Sequence, residues 1–179
     1  TQFRATQEML AERLRGENMP CVVYHGGLST AQKNAAIREF QDNQPILLST
    51  EAAGEGRNLQ FCRAMVNFDL PWNPMRIEQR VGRIHRVGQD RPVDIFNLAA
   101  EGTIEDFVLD ILDRKLNMFE LVIGEMDMIL GQMGDERDFE EIILEIWAQA
   151  RSHQDMQQGM TGLGEDLVKA RAAYRHAQE

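Results

Sequence analysis

The sequence predicts an α/β fold: a parallel sheet flanked by helices, followed by an all-helical, acidic C-terminal extension. Three observations carry this. Short apolar runs such as PCVVY at 20–24 and PILLST at 45–50 are separated by longer segments of helical periodicity, and strands joined through helices pair in parallel. From Thr103 onward apolar residues recur at helical spacing, with Ile104, Phe107, Val108, Ile111 and Leu112 on one stripe. Acids concentrate in the same region, where 101–145 carries fourteen of them against Arg114, Lys115 and Arg137.

The first predicted elements are a helix at about 5–16 and a strand at 20–24. Ser29 suits the N-cap of a helix over 29–42, on which Ile37 and Phe40 stand three apart. The strand at 45–50 runs at once into the glycine-containing EAAGEGRNLQ segment. A strand over 63–68 follows, with Ala64, Val66 and Phe68 alternating. The two prolines of LPWNP then bar helix until about 75, after which a helix begins. Pro92 opens a last strand, VDIFNL, and Thr103 caps a long helix. A break at GQMGD, 131–135, precedes an amphipathic segment from Phe139 to Trp147. The polar, glycine-rich SHQDMQQGMTGLG reads as a linker, and a short helix from Glu165 to His176 ends the chain. The predicted organisation is therefore a sheet-bearing lobe at 1–100, a helical extension at 101–150, a linker at 151–164 and a terminal helix at 165–179.

Composition suits a folded globule, with 179 residues, 43% apolar and 27% charged. No run of about 18 apolar residues and no signal-peptide pattern occurs, which predicts a cytoplasmic protein with no membrane partner. Cys21 and Cys62 form no CxxC and have no ligand spacing with the histidines, so reduced core thiols and no structural metal are expected. Met118, Met126, Met128 and Met133 suit gap-filling between helices. The net charge of −10 is unevenly spread, for 63–91 carries six arginines against Asp69, Glu78 and Asp90.

That basic stretch contains QRVGRIHRVGQ at 79–89, which places Gln79, Arg83 and Arg86 on one helical face. Arginine's planar fork of donors suits a phosphate oxygen. Gly82 within the pattern costs about 1 kcal/mol relative to alanine, which suggests that backbone or a partner comes close there. The run from Ser49 and Thr50 into Gly54, Glu55 and Gly56 lies where ligands sit in open parallel sheets, beyond the carboxyl ends of the strands.

In series, STEAAGEGRNLQ at 49–60, the LPWNP element and QRVGRIHRVGQ resemble motifs V and VI of superfamily-two helicase-like ATPases, and of the Swi/Snf branch in particular, bacterial members included. The resemblance covers roughly 1–130 and implies a RecA-like parallel sheet. It implies that Arg83 and Arg86 are arginine fingers for the γ-phosphate, with Gln79 ordering that contact; such fingers are worth roughly 10³ to 10⁵ in rate. It places Gly54, Glu55 and Gly56 near the nucleotide, Thr50 near a DNA phosphate, Gly26 and Gly27 of YHGG in a loop facing the DNA backbone, and Trp72 and Asn73 in the segment between the motifs. Arg57 stands where the family often has an aliphatic residue. RNA helicases of the DEAD-box group usually have His where this chain has Gln79, and GRTGR where it has GRIHR.

The sequence contains no GxxxxGK[ST] and no acidic strand-end tetrad, so ATP with Mg²⁺ is expected to be bound mainly by another, N-terminal RecA-like lobe. Thr at position 1, together with the absence of the hydrophobic strand the family has just upstream, makes the chain read as truncated at its N-terminus and inactive alone. The implied function is the second lobe of a double-stranded-DNA translocase. Two alternatives stand beside it: a docking module for RNA polymerase or a nuclease, and an RNA helicase lobe.

Overall fold

The computed structural model describes residues 1–51, 59–85, 92–115, 125–133 and 138–178. Contacts divide the chain into two units, one of Thr1–Asp69 with Arg83–Phe96, the other of Leu70–Gly82 with Asn97–Glu179.

The first unit is mixed α/β. Helix α1, Arg4–Gly16, leads into β1, Cys21–Tyr24, and α2, Thr30–Asp42, leads into β2, Ile46–Ser49. Strands β1 and β2 pair in parallel, Cys21 opposite Ile46 and Tyr24 opposite Ser49. Ser29 caps α2 through a capping box: its hydroxyl accepts from the Gln32 N–H at 3.3 Å, and the Gln32 side chain accepts from the Ser29 N–H at 2.9 Å. Phe40 of α2 meets Phe61 with ring centroids 5.4 Å apart. Strand β3, Ala64–Asn67, pairs with β4, Asp94–Asn97, in a separate two-stranded sheet among the described residues.

On β3 the alternating apolar set faces outward. Val66 is 58% exposed and Phe68 is exposed too, while Asn67 is buried. A period of two fixes which residues share a face, and packing decides which face is covered.

Helix α3, Pro74–Ile84, starts where LPWNP ends. Asn73 begins it, its side-chain oxygen accepting from the Met75 N–H at 2.9 Å, and Pro74 takes the first helical position, where a missing N–H costs nothing.

The second unit is helical in its described C-terminal part. Helix α4, Ile104–Asp110, widens into a π-helical turn at Ile111–Lys115, and α5, Glu125–Gly131, α6, Phe139–Gln149, and α7, His153–Gln178, follow. Thr103 stands at the α4 cap, but its hydroxyl donates to the Ala100 carbonyl at 2.6 Å, and the Gly102 N–H, at φ 75°, is taken by Asp106 instead. Acids occupy the first turns of these helices, Glu105 and Asp106 in α4, Glu125 and Asp127 in α5, Glu140 and Glu141 in α6, and Asp155 in α7. Leu70 and Ile77 join Leu112, Met126, Ile143 and Leu167 in one buried core. Met126 fills that core, whereas Met128 is exposed. No helix among the described residues is long and apolar enough to cross a membrane.

The linker expected at 151–164 is helix from His153 on, continuous with the segment expected as a separate terminal helix. Burial outweighs the glycines: Met156, Met160, Leu163, Leu167 and Ala170 recur three and four apart and pack inward. Ser152 starts the helix by accepting from the Asp155 N–H at 3.1 Å, while Asp155 accepts from the Arg151 N–H at 3.0 Å.

Two of the mid-helix glycines of α7, Gly159 and Gly162, differ in kind. A Cβ on Gly159 would stand 2.5 Å from Ile146 Cγ2 of α6, a branched methyl with little room to move, whereas nothing lies within 4 Å of one on Gly162. Alanine gains about 1 kcal/mol of helix propensity over glycine, and overpacking costs about 1–3 kcal/mol. Denaturant unfolding should accordingly show Gly162→Ala as stabilising by up to about 1 kcal/mol and Gly159→Ala as destabilising. The same sign at both positions would mean that α6 and α7 do not approach this closely.

Candidate nucleotide and nucleic-acid site

The carboxyl ends of β1 and β2 lie side by side, and the two segments leaving them start from one hydrogen-bonded point. The Thr50 N–H extends the parallel ladder to the Tyr24 carbonyl at 3.2 Å. From Tyr24 the chain turns through His25, Gly26 and Gly27, where the Gly27 N–H donates to His25 Nδ1 at 3.1 Å and the Leu28 N–H to the His25 carbonyl at 3.2 Å. A Cβ on Gly27 would come within 3.2 Å of the His25 ring, which would have to give by a few tenths of an ångström to admit it. Desolvation, helped by the positive charges of Arg4 and Lys33 and opposed by Glu8, holds the His25 imidazole below its ordinary pKa of 6.5. At neutral pH the ring is therefore neutral and its Nδ1 can accept. The structure thus brings Gly26, Gly27 and Thr50 to one strand end. The two glycines are exposed, while Thr50 is 6% exposed.

On α3, Gln79 is exposed and Arg83 half-buried, one turn apart. The Arg83 carbonyl accepts from the Leu59 N–H at 3.0 Å, so the chain returning from the glycine-containing segment is fastened to the end of this helix. Ile84, buried, anchors the same turn. Arg86, Gly54, Glu55, Gly56 and Arg57 lie outside the described residues. Trp72 and Asn73 are engaged in the turn before α3, Trp72 packed against the core of the second unit and Asn73 capping the helix. The Asn73 side-chain amide also reaches Asp138 at 3.5 Å, and Arg76 pairs with Glu140 at 3.8 Å.

Among the described residues the donor set offers an arginine for phosphate oxygens and no cluster of three His, Cys, Asp or Glu side chains for a metal ion. Sequence reasoning passed over Gln7, a buried glutamine on α1 that donates to both strand ends. A glutamine within an otherwise polar helical segment carries no signal of burial.

Comparison with known proteins gives the helicase conserved C-terminal domain over residues 1–88. An uncharacterized ATP-dependent helicase of Bacillus subtilis is 42% identical over 91% of this chain and 29% of its own length. The RNA polymerase-associated protein RapA of Proteus mirabilis is 34% identical over 77% of this chain and 15% of its own length. The chain therefore spans less than a third of either relative. Among solved structures, the C-terminal part of the Fun30 ATPase domain superposes with a TM-score of 0.56 at 26% identity, covering 60% of this chain and 35% of that one. The Sulfolobus solfataricus SWI2/SNF2 ATPase core in complex with double-stranded DNA gives a TM-score of 0.52 at 31% identity, covering 67% of this chain and 26% of that one. With parallel strands ending at a shared loop point and the QRVGRI start of QRVGRIHRVGQ on α3, the chain belongs to the Swi/Snf family of helicase-like ATPases, as its C-terminal RecA-like lobe.

Proposed function

We propose that this chain is the second lobe of a DNA-dependent ATPase that moves along duplex DNA. The observation that carries the reading is the fastening of Leu59 to the Arg83 carbonyl, which joins the end of motif V to the helix bearing motif VI. In this reading Arg83 and Arg86 meet the γ-phosphate, and Gln79, one turn before Arg83, orders the contact. Bound ATP with Mg²⁺ supplies the phosphoryl group, and the first lobe holds both. The two guanidiniums offset charge that develops on the transferring phosphate, an effect that grows when water is excluded. Gly54, Glu55 and Gly56 border the nucleotide.

The exposed Gly26 and Gly27 form the solvent side of a DNA-backbone grip, with Thr50 behind them at the same strand end. Trp72 and Asn73, which hold the turn that starts α3, complete the set assigned to DNA. Residues 101–150 brace the lobes, and alternating grips as the lobes close and part move the protein along the duplex. The relatives named RNA polymerase-associated make a polymerase on DNA a fitting obstacle or partner.

The test is steady-state ATP hydrolysis by the intact protein that contains this chain, with duplex DNA, single-stranded DNA or RNA added separately. Stimulation by duplex DNA is the expected result. Stimulation chiefly by RNA would replace this reading with an RNA helicase, and no response to any nucleic acid would leave a docking module.

A further inference from the structure

Helix α1 buries one polar side chain completely. Gln7 is 0% exposed, and its Nε2 donates to the Tyr24 carbonyl at 2.8 Å and to the Leu48 carbonyl at 2.7 Å. The assignment of the amide is forced by chemistry, because two carbonyl oxygens can only accept and only the nitrogen can donate. Its Oε1 is buried without a hydrogen-bond partner. A buried acceptor left unmade opposes folding, and an apolar side chain of the same length would fill the space without that cost. Core filling alone therefore does not account for a glutamine here.

The amide adds geometry. Tyr24 ends β1, and Leu48 sits one residue before the end of β2 on the neighbouring parallel strand. The Tyr24 carbonyl also accepts the Thr50 N–H, so Gln7 supplies its second bond. Beyond this rung β1 and β2 pair no further among the described residues, and the chain departs in two directions, through His25, Gly26 and Gly27 on one side and through Thr50 on the other. A parallel ladder is free to fray at such an end, and one nitrogen holding a carbonyl of each strand prevents it.

We infer that Gln7 is a positioning residue that fixes the spacing of the two strand-end segments and so presents them together to a nucleic-acid phosphate backbone. The inference rests on the DNA-grip reading above for its ligand, and on the two hydrogen bonds for its mechanism. Gln7 touches no phosphate itself; it acts through Tyr24, Leu48 and Thr50.

The experiment compares Gln7→Met, a near-isostere with no donors, with Gln7→Glu in the intact ATPase. Two quantities are read: the duplex-DNA concentration that half-stimulates ATP hydrolysis, and amide hydrogen exchange at Thr50. Gln7→Met should raise the half-stimulating concentration about tenfold and speed Thr50 exchange about tenfold, with helices α6 and α7 unchanged, as expected for one or two lost hydrogen bonds. In Gln7→Glu the ionised carboxylate repels the carbonyls, and protonation at low pH restores one donor. Its half-stimulating concentration should therefore approach the wild-type value as pH falls, a trend that Gln7→Met cannot show.

Thr50→Ala serves as the control for the DNA reading, and it should also raise the half-stimulating concentration. A shift in Thr50→Ala with none in Gln7→Met would overturn the role of Gln7 and leave the DNA grip standing. If neither variant shifts, the DNA grip falls, and the proposed role of Gln7 falls with it. Unchanged Thr50 exchange, or acceleration spread evenly over the whole chain, would reduce Gln7 to ordinary packing.

Discussion

Replacing Arg83 with alanine in the intact ATPase should lower ATP turnover by about three orders of magnitude or more, with duplex-DNA affinity nearly unchanged. A thousandfold corresponds to about 4 kcal/mol of transition-state stabilisation. The separation follows from placement. Arg83 lies at the last turn of α3, half-buried and fastened through its backbone to Leu59, whereas the residues assigned to DNA leave the ends of β1 and β2. Arg83→Lys should recover little, because an ammonium is a point charge without the planar fork. Turnover and DNA titration measured on the same preparations decide the matter. A parallel fall in both would show that Arg83 supports the lobe as a whole, and the finger assignment would be lost.

Truncating Leu167 to alanine should cost about 2–5 kcal/mol in denaturant unfolding. Leu167 is fully buried on α7 among residues contributed by α4, α5, α6 and the start of α3, so the lost side chain leaves a cavity that several elements would have to close. Total stabilities of domains lie at about 5–15 kcal/mol, which makes this a large fraction. The prediction bears on organisation as well as stability, since it holds only if α7 is part of the core rather than a helix beyond a linker. A cost below about 1 kcal/mol would return the C-terminal segment to the periphery.

The sequence was legible where local chemistry and global packing agree. Ser29 with Gln32 three residues on, Pro74 after Asn73, and the apolar runs at β1 and β2 each declare an element through short-range interactions, and the structure has them there. The family was legible from motif residues such as Arg83. Legibility failed where a long-range contact decides. Gly159 and Gly162 look like flexibility until Ile146 is seen against Gly159, and the Ser152-x-x-Asp155 pattern, which starts α7, was passed over within a stretch whose composition reads as linker. The facing of β3 and the burial of Gln7 depend on what packs against them, which no window of neighbouring residues contains.

The acids in the first turns of α4 to α7 change what the net charge of −10 means. A helix N-terminus carries the equivalent of roughly half a positive charge. Carboxylates placed there are offset at short range by the backbone itself, so part of the acidity is spent on closing helix ends. A polyanion approaching this molecule meets a weaker repulsive field than the sum of its side chains implies, and an isoelectric point near 4.9 is a poor guide to what it will tolerate nearby.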